Sequence, residues 1–320
     1  MKARAGDVYT VFNNYLGRYT ACQVAYIAPP DAVSKQPGAV ILSLDWVGDV
    51  PLTKDELPNL RPLYKDFMYW QRDLHLLRVP IEVPQQYTLV GTLPSFTNKP
   101  CRSYGGWSDG YDVYRQIKWQ AIPEKRRQAF KEAIESDEQT EIGGVHVKVN
   151  SHRVMDQYLP FSSALELRVL PCLSTLVCEQ WHPDLIEFLR ENPFIDELTL
   201  LHHGQKTLDL RGTNVRKLML DMTGLEELWV SDCTEYLLFQ TEDPDVCTIH
   251  APESGKYLTL DFTGQYRPHP ELVNLRGLYG ARLKVFDLSL LEKIHPHLRE
   301  LRLWSAPGTL VNFKTVSKLP

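Results

Sequence analysis

Leu198-Thr199-Leu200, Leu208-Asp209-Leu210, Leu218-Met219-Leu220 and Leu228-Trp229-Val230 stand ten residues apart. Leu238-Phe239-Gln240 and Thr248-Ile249-His250 continue the series in weakened form, and Leu258-Thr259-Leu260 restores it. Two apolar residues flanking one variable residue mark a short strand with one buried face. Turn formers separate the units: Gly204, Gly212-Thr213-Asn214, Gly224 and Asp243-Pro244-Asp245. A fixed period predicts a solenoid whose coils bury their apolar edges against one another. One unit is too short for a strand plus a helix, so one coil is read as two units. That is roughly 20 residues with strands on two sides, the short end of the leucine-rich-repeat range.

Alternation sends the paired leucines inward and the central residues outward. The predicted outward set is Thr199, Asp209, Met219, Trp229, Phe239, Ile249 and Thr259. With two units per coil, Trp229 lies on the side opposite Met219 and Phe239. With one unit per rung, the three share a column. Outward aromatic residues predict a patch covered either by a partner or by a flanking tail.

Working outward from the repeat, the solenoid is expected to occupy residues 158–320. Leu165-Glu166-Leu167 and Leu176-Val177-Cys178 read as irregular early turns, Asp184 to Asn192 as a helix, and Leu298 to Trp304 as a late restatement. Residues 96–157 read as a connector. It holds one helix, Pro123 to Ile134, with Pro in the first turn, and a short strand opened by Gly143-Gly144. Cys101 to Asp112 reads as a Gly- and aromatic-rich loop. Residues 1–95 hold five short strands: Asp7 to Phe12, Tyr19 to Ile27, Ala39 to Leu44, Leu77 to Ile81 and Tyr87 to Gly91. These predict a small antiparallel β-barrel-like domain. The fold class is α+β, mainly β.

Composition narrows the function. The net charge of −5 argues against broad nucleic-acid binding, so no nucleic-acid partner is expected. The 6 cysteines form no CxxC pair, which fits reduced thiols in a cytoplasmic protein. No apolar run follows the basic N-terminus and none is long enough to span a membrane, so neither a signal peptide nor a membrane is expected. Between Lys217 and Lys256 there is no basic residue, while Asp221, Glu226, Glu227, Asp232, Glu235, Glu242, Asp243, Asp245 and Glu253 all fall there. An acidic face speckled with Met219, Trp229 and Phe239 suits a basic partner protein, although the same residues also serve as a solvated flank. A second candidate surface is the loop with Tyr104, Trp107, Asp109, Tyr111, Asp112 and Tyr114, paratope-like in composition. It reads equally well as a lid over a domain junction.

Chemistry is poorly signalled. Cys172, Cys178 and His182 offer three zinc donors, but the spacing is not a standard one and no fourth stands near. Buried thiols are the plainer reading, and no metal or cofactor is expected. GxSxG, HExxH, P-loop and GxGxxG motifs are absent. The remaining enzymatic reading is a site around Asp109, Asp112 and His146, and no catalytic residue is assigned.

The opening Gly6-Asp7-Val8-Tyr9 and the small β domain after it resemble the N-terminal part of bacterial immunity proteins from polymorphic-toxin loci, of the Rhs or contact-dependent type. The C-terminal half resembles irregular bacterial leucine-rich repeats. The resemblance implies a cytoplasmic antidote that binds the catalytic domain of a cognate toxin and occludes its active site. The alternative is a leucine-rich-repeat adaptor or secreted effector that binds a host protein.

Overall fold

The computed structural model describes residues 1–240, 247–251, 258–263, 272, 275–283, 286–289, 291, 295, 297–298, 300–304, 309–312 and 314. The turn expected at Asp243-Pro244-Asp245 lies outside them. The chain divides into two compact units, Met1–Lys131 and Glu132–Pro320. Among the described residues no helix is long and apolar enough to cross a membrane.

In the first unit, β1 (Asp7–Asn13), β2 (Arg18–Ala28) and β3 (Gly38–Gly48) are followed by the short pair β4 (Tyr64–Lys65) and β5 (Asp73–Leu74). Then come β6 (Leu77–Pro80), β7 (Thr88–Thr92) and the helices α1 (Tyr111–Gln120) and α2 (Glu124–Ser136), the last running across the division between the units. Five strands pair antiparallel in the order β6-β3-β2-β1-β7. The outer strands β6 and β7 are not paired with each other, but the segment after β6 bridges antiparallel to the residues before β1, Lys2 opposite Glu82 with Ala3 N–H donating to Ile81 O at 2.9 Å. Both faces are covered. Val8, Val40, Leu42 and Leu44 pack on one side with Leu57 from the 3-10 turn Lys54–Asn59 and with Leu60, which caps it. Tyr9, Val24, Ile41, Val79 and Tyr87 pack on the other. Two buried faces explain why Ala39-Val40-Ile41-Leu42 is apolar without alternation.

Helix α1 was not legible. It begins inside the segment read as a loop, and its buried residues are Val113, Tyr114, Gln116 and Trp119. A buried glutamine breaks the apolar stripe, and Val, Tyr and Trp are middling helix formers. Its N-cap is Gly110 at φ 74°, and a Cβ there would meet Thr20 Oγ1 at 2.0 Å.

The second unit begins with the hairpin β8 (Gln139–Ile142) and β9 (Val145–Lys148). Gly143 and Gly144, both at positive φ, form its two-residue turn rather than merely opening a strand. The solenoid strands follow: β10 (Arg153–Met155), β11 (Thr175–Cys178), helix α3 (Leu185–Glu191), β12 (Glu197–Leu200), β13 (Thr207–Asp209), β14 (Lys217–Asp221), β15 (Glu227–Trp229), β16 (Tyr236–Gln240) and β17 (Thr248–His250). β18 (Leu258–Thr263), β19 (Leu275–Ala281), β20 (Phe286–Asp287), β21 (Glu300–Trp304) and β22 (Leu310–Val311) complete it. A broad parallel sheet has 8 strands in the order β10-β11-β12-β14-β16-β18-β19-β21, and a narrow one has the order β13-β15-β17. Alternate Leu-x-Leu units therefore join different sheets, and two units make one coil, as the period predicted. Leu165-Glu166-Leu167 is not a strand but part of the 3-10 turn Ala164–Val169, opened by a Ser163/Glu166 capping box.

Leu198, Leu200, Leu208, Leu210, Leu218, Leu220, Leu228 and Val230 are all at most 2% exposed. Burying such side chains is worth about 1.5–3 kcal/mol each and drives the stacking of coils. Buried hydroxyls tie one coil to the last: Ser231 Oγ donates to Thr213 O and Thr234 Oγ1 to Val215 O at 3.0 Å. The leucine register then slips. Leu218 pairs with Leu237 and Leu220 with Phe239, so Leu237 and Phe239 face inward and Leu238 outward. Ile249 likewise pairs with Leu228 and is 0% exposed. The outward placement expected for Phe239 and Ile249 is thus corrected. With side chains alternating every residue, a shift of one position reverses the face.

Candidate partner-binding surfaces

The broad sheet presents one row of strand centres in register: Met155, Val177, Thr199, Met219, Leu238, Asp261, Tyr279 and Arg302. Met155, Thr199, Met219 and Leu238 are half-buried and Val177 is buried, so the N-terminal half of this face is an apolar strip interrupted by one threonine. Beyond it the face turns polar. Tyr236 donates to Asp261 Oδ2 at 2.6 Å, Tyr279 donates to Glu300 Oε2 at 2.8 Å, and the Arg302 guanidinium lies 4.9 Å from the Tyr279 ring centre. Beside the strip, Lys217 pairs with Glu197 at 2.7 Å. Trp304, 58% exposed at the end of β21, is an outward aromatic that the weaker C-terminal period concealed.

Trp229 belongs to the narrow sheet, away from the Met219 row. Its centre position runs Asp209, Trp229, His250. The His250 ring stacks on the indole at 4.4 Å and 9°, and the Arg211 guanidinium sits 5.3 Å from the ring centre. Arg211 is itself held by both oxygens of Asp209, at 2.9 and 2.7 Å. That bond is the main reason the Asp209 carboxyl falls to about 2. The result is a partly exposed indole whose orientation is set by cationic and aromatic neighbours.

Two acidic side chains of the window pair with a base of the previous coil. Glu226 pairs with Lys206 at 2.7 Å and Glu235 with Arg216 at 2.5 Å. Asp221 accepts from Thr223 N and Oγ1 at 3.0 and 2.7 Å and lies 3.5 Å from His202 Nδ1. Burial works against its charge, but these partners outweigh burial and hold the carboxyl below the usual range. Glu227 is half-buried between Thr207 and Thr248 on the narrow sheet. Asp221 and Glu227 therefore stand on different sheets. Glu242, Asp243, Asp245 and Glu253 lie outside the described residues.

Comparison with protein families, with characterised proteins and with solved structures finds no match. Function is therefore read from this geometry alone.

In the first unit, the residues with paratope-like composition are mostly turned to internal use. Trp107 Nε1 donates to Pro80 O at 3.1 Å, and its ring meets Tyr87 at 4.9 Å and Tyr9 at 5.8 Å. The Asp109 N–H donates to the Tyr87 hydroxyl at 2.7 Å. Tyr111, 38% exposed, packs against Tyr15 at 5.2 Å. Asp112 is drawn inward, the correction with the largest electrostatic consequence. Its Oδ1 meets Lys65 Nζ at 3.0 Å and its Oδ2 meets His75 Nδ1 at 3.3 Å. Burial opposes its charge, yet the His75 bond and the Lys65 charge prevail and keep the carboxyl below the usual range. Burial also depresses the Lys65 ammonium, which lies 4.0 Å from the Trp70 ring centre.

Of the three candidate zinc donors, Cys178 and His182 do come together. The third member of their cluster is Asp156 rather than Cys172. Burial pushes the Cys178 thiol up, and the Asp156 charge pushes it further. His203 is structural: its Nδ1 accepts from Gln205 N–H at 3.0 Å and its Nε2 contacts Asp221 O at 2.7 Å.

Proposed function

We propose that this chain is a binding protein without turnover: a cytoplasmic immunity protein whose leucine-rich-repeat-like solenoid holds the catalytic domain of a cognate toxin and occludes its active site. The observation that carries the reading is the strip Met155, Val177, Thr199, Met219 and Leu238 in strand register on the outward face of the broad sheet, half-buried apart from the buried Val177. An apolar row on a regular sheet loses water when a complementary surface covers it, and the Glu197–Lys217 pair beside it forms a polar rim. Trp229, held between Arg211 and His250, supplies a rigid aromatic anchor on the narrow sheet. The acid excess of the whole chain favours encounter with a basic domain.

The test is capture of partners from the native cytoplasm by the tagged chain, followed by expression of each partner alone and with this protein. One stoichiometric basic partner, toxic alone and neutralised by the chain, supports the reading. In that complex Trp229→Ala is expected to weaken binding by about 2 kcal/mol, roughly 30-fold. Met219→Asp is expected to abolish protection without unfolding the chain. A partner that is harmless when expressed alone rejects the toxin reading in favour of an adaptor or effector, and unaltered binding by both variants rejects these surfaces.

A further inference from the structure

Asp156 follows β10, Cys178 ends β11, and His182 stands in the turn that leads into α3. Their donor atoms all lie within 4.8 Å of one another. Cys178 is 0%, His182 7% and Asp156 9% exposed. The carboxylate is fixed by backbone: Glu179 N–H reaches both oxygens at 2.8 Å and Gln180 N–H reaches Oδ2 at 3.1 Å. The His182 ring lies on Phe161 at 4.3 Å. Its Nε2 is 3.5 Å from Asp156 Oδ2, within ion-pair distance, yet makes no hydrogen bond although buried. A buried imidazole nitrogen without a hydrogen-bond partner, facing a carboxylate beside a thiol, is an arrangement that hydrogen bonding inside the protein does not explain.

We propose that Asp156, Cys178 and His182 form a zinc site that fastens the first coils of the solenoid. The donor set selects the ion. Thiolate sulfur and imidazole nitrogen suit zinc and are poor ligands for magnesium or calcium. Three protein ligands leave a fourth position for water or the second carboxylate oxygen. Zinc bonds of about 2.0–2.3 Å set tetrahedral donors roughly 3.5 Å apart, so the cluster closes by small side-chain rotations. On binding, the Cys178 proton leaves to solvent and the thiolate sulfur bonds the ion. The Glu179 and Gln180 N–H groups then orient the ligating carboxylate. A hydrolytic cysteine is the poorer fit, because the Cys178 sulfur has no surface at which a substrate could meet it. Position supplies the reason for a clamp. β10 is the edge strand of the broad sheet and has 3 residues, so a strand ladder holds it on one side only.

The experiment is a cobalt(II) titration of the full-length, reduced, chelator-treated chain. One equivalent should bind and produce the thiolate-to-cobalt charge-transfer band together with the strong visible bands of a four-coordinate site. Zinc should displace it and raise the thermal midpoint, whereas magnesium should do neither. Cys178→Ser should lose the charge-transfer band, while Cys172→Ser and Cys101→Ser keep it. Absence of the band, its survival in Cys178→Ser, or its loss in Cys101→Ser overturns the site. Should Cys178→Ser fail to fold, native mass spectrometry of the zinc-reconstituted wild-type chain decides, because a chain without one bound zinc has no such clamp.

Discussion

Trp107 and Trp229 are both half-buried tryptophans with carboxylates close by in sequence, yet the two regions use them differently. In the first unit the aromatic and acidic side chains of residues 107–112 are met by residues distant in sequence: Pro80, Tyr9, Tyr87, Lys65 and His75. In the solenoid, described contacts of the outward residues reach only along their own coil or one coil away, as Trp229 to His250 and Glu226 to Lys206 do. An antiparallel sheet with loops folded over both faces can seal its own polar groups. In a parallel solenoid each coil meets only its neighbours, so the contacts of an outward row stay local. Similar composition is thus answered by distant segments in one region and by adjacent coils in the other.

The comparison breaks most readily at Asp112. Asp112→Ala leaves the Lys65 ammonium, 3% exposed, without its carboxylate, and is expected to cost about 3–5 kcal/mol in denaturant unfolding. A loss below about 1 kcal/mol would show that the pair is not a stability element, and would return the loop to the candidate surfaces. Next comes the contrast between neighbours in β14. Leu218→Ala should cost about 3 kcal/mol, because it opens a cavity between coils. Met219→Ala should cost less than about 1 kcal/mol while weakening partner binding. Equal stability losses would mean that Met219 is covered by the chain itself.

The smallest effect is acid sensitivity. The Asp112 carboxyl is depressed in the folded state, so its contribution is full above the ordinary carboxylate value near 4 and is lost as pH falls through its folded value. The stability gap between wild type and Asp112→Asn should therefore narrow below about pH 4. Urea midpoints measured from pH 7 to pH 2 check this. A gap that stays constant removes the carboxylate charge from the account.

Much of the fold was legible because burial alternation is local. The pairs from Leu198 to Val230 named the strands and their inward residues, and the two-unit coil followed from the period. The reading failed where the number of residues in a turn changed. Leu218 to Leu237 is one residue shorter than the preceding Leu198 to Leu218 step, and that single residue turned Phe239 inward and Leu238 outward. It failed again at α1, whose buried Gln116 accepts from Asp66 N at 2.8 Å, a contact between segments 50 residues apart.

The sequence by itself determined a repeating strand pattern, its inward leucines and the absence of a recognisable catalytic motif, since these follow from residue type and spacing along the chain. Only the tertiary structure decided which outward and charged side chains remain open. Glu226 and Glu235 are answered by bases one coil back, Asp112 by a lysine 47 residues away, and Asp156 is brought to Cys178 and His182 from the preceding coil. The physical reason is one of range. Alternation is set by adjacent backbone geometry, whereas ion pairing and ligand clustering depend on what the fold brings within a few ångströms.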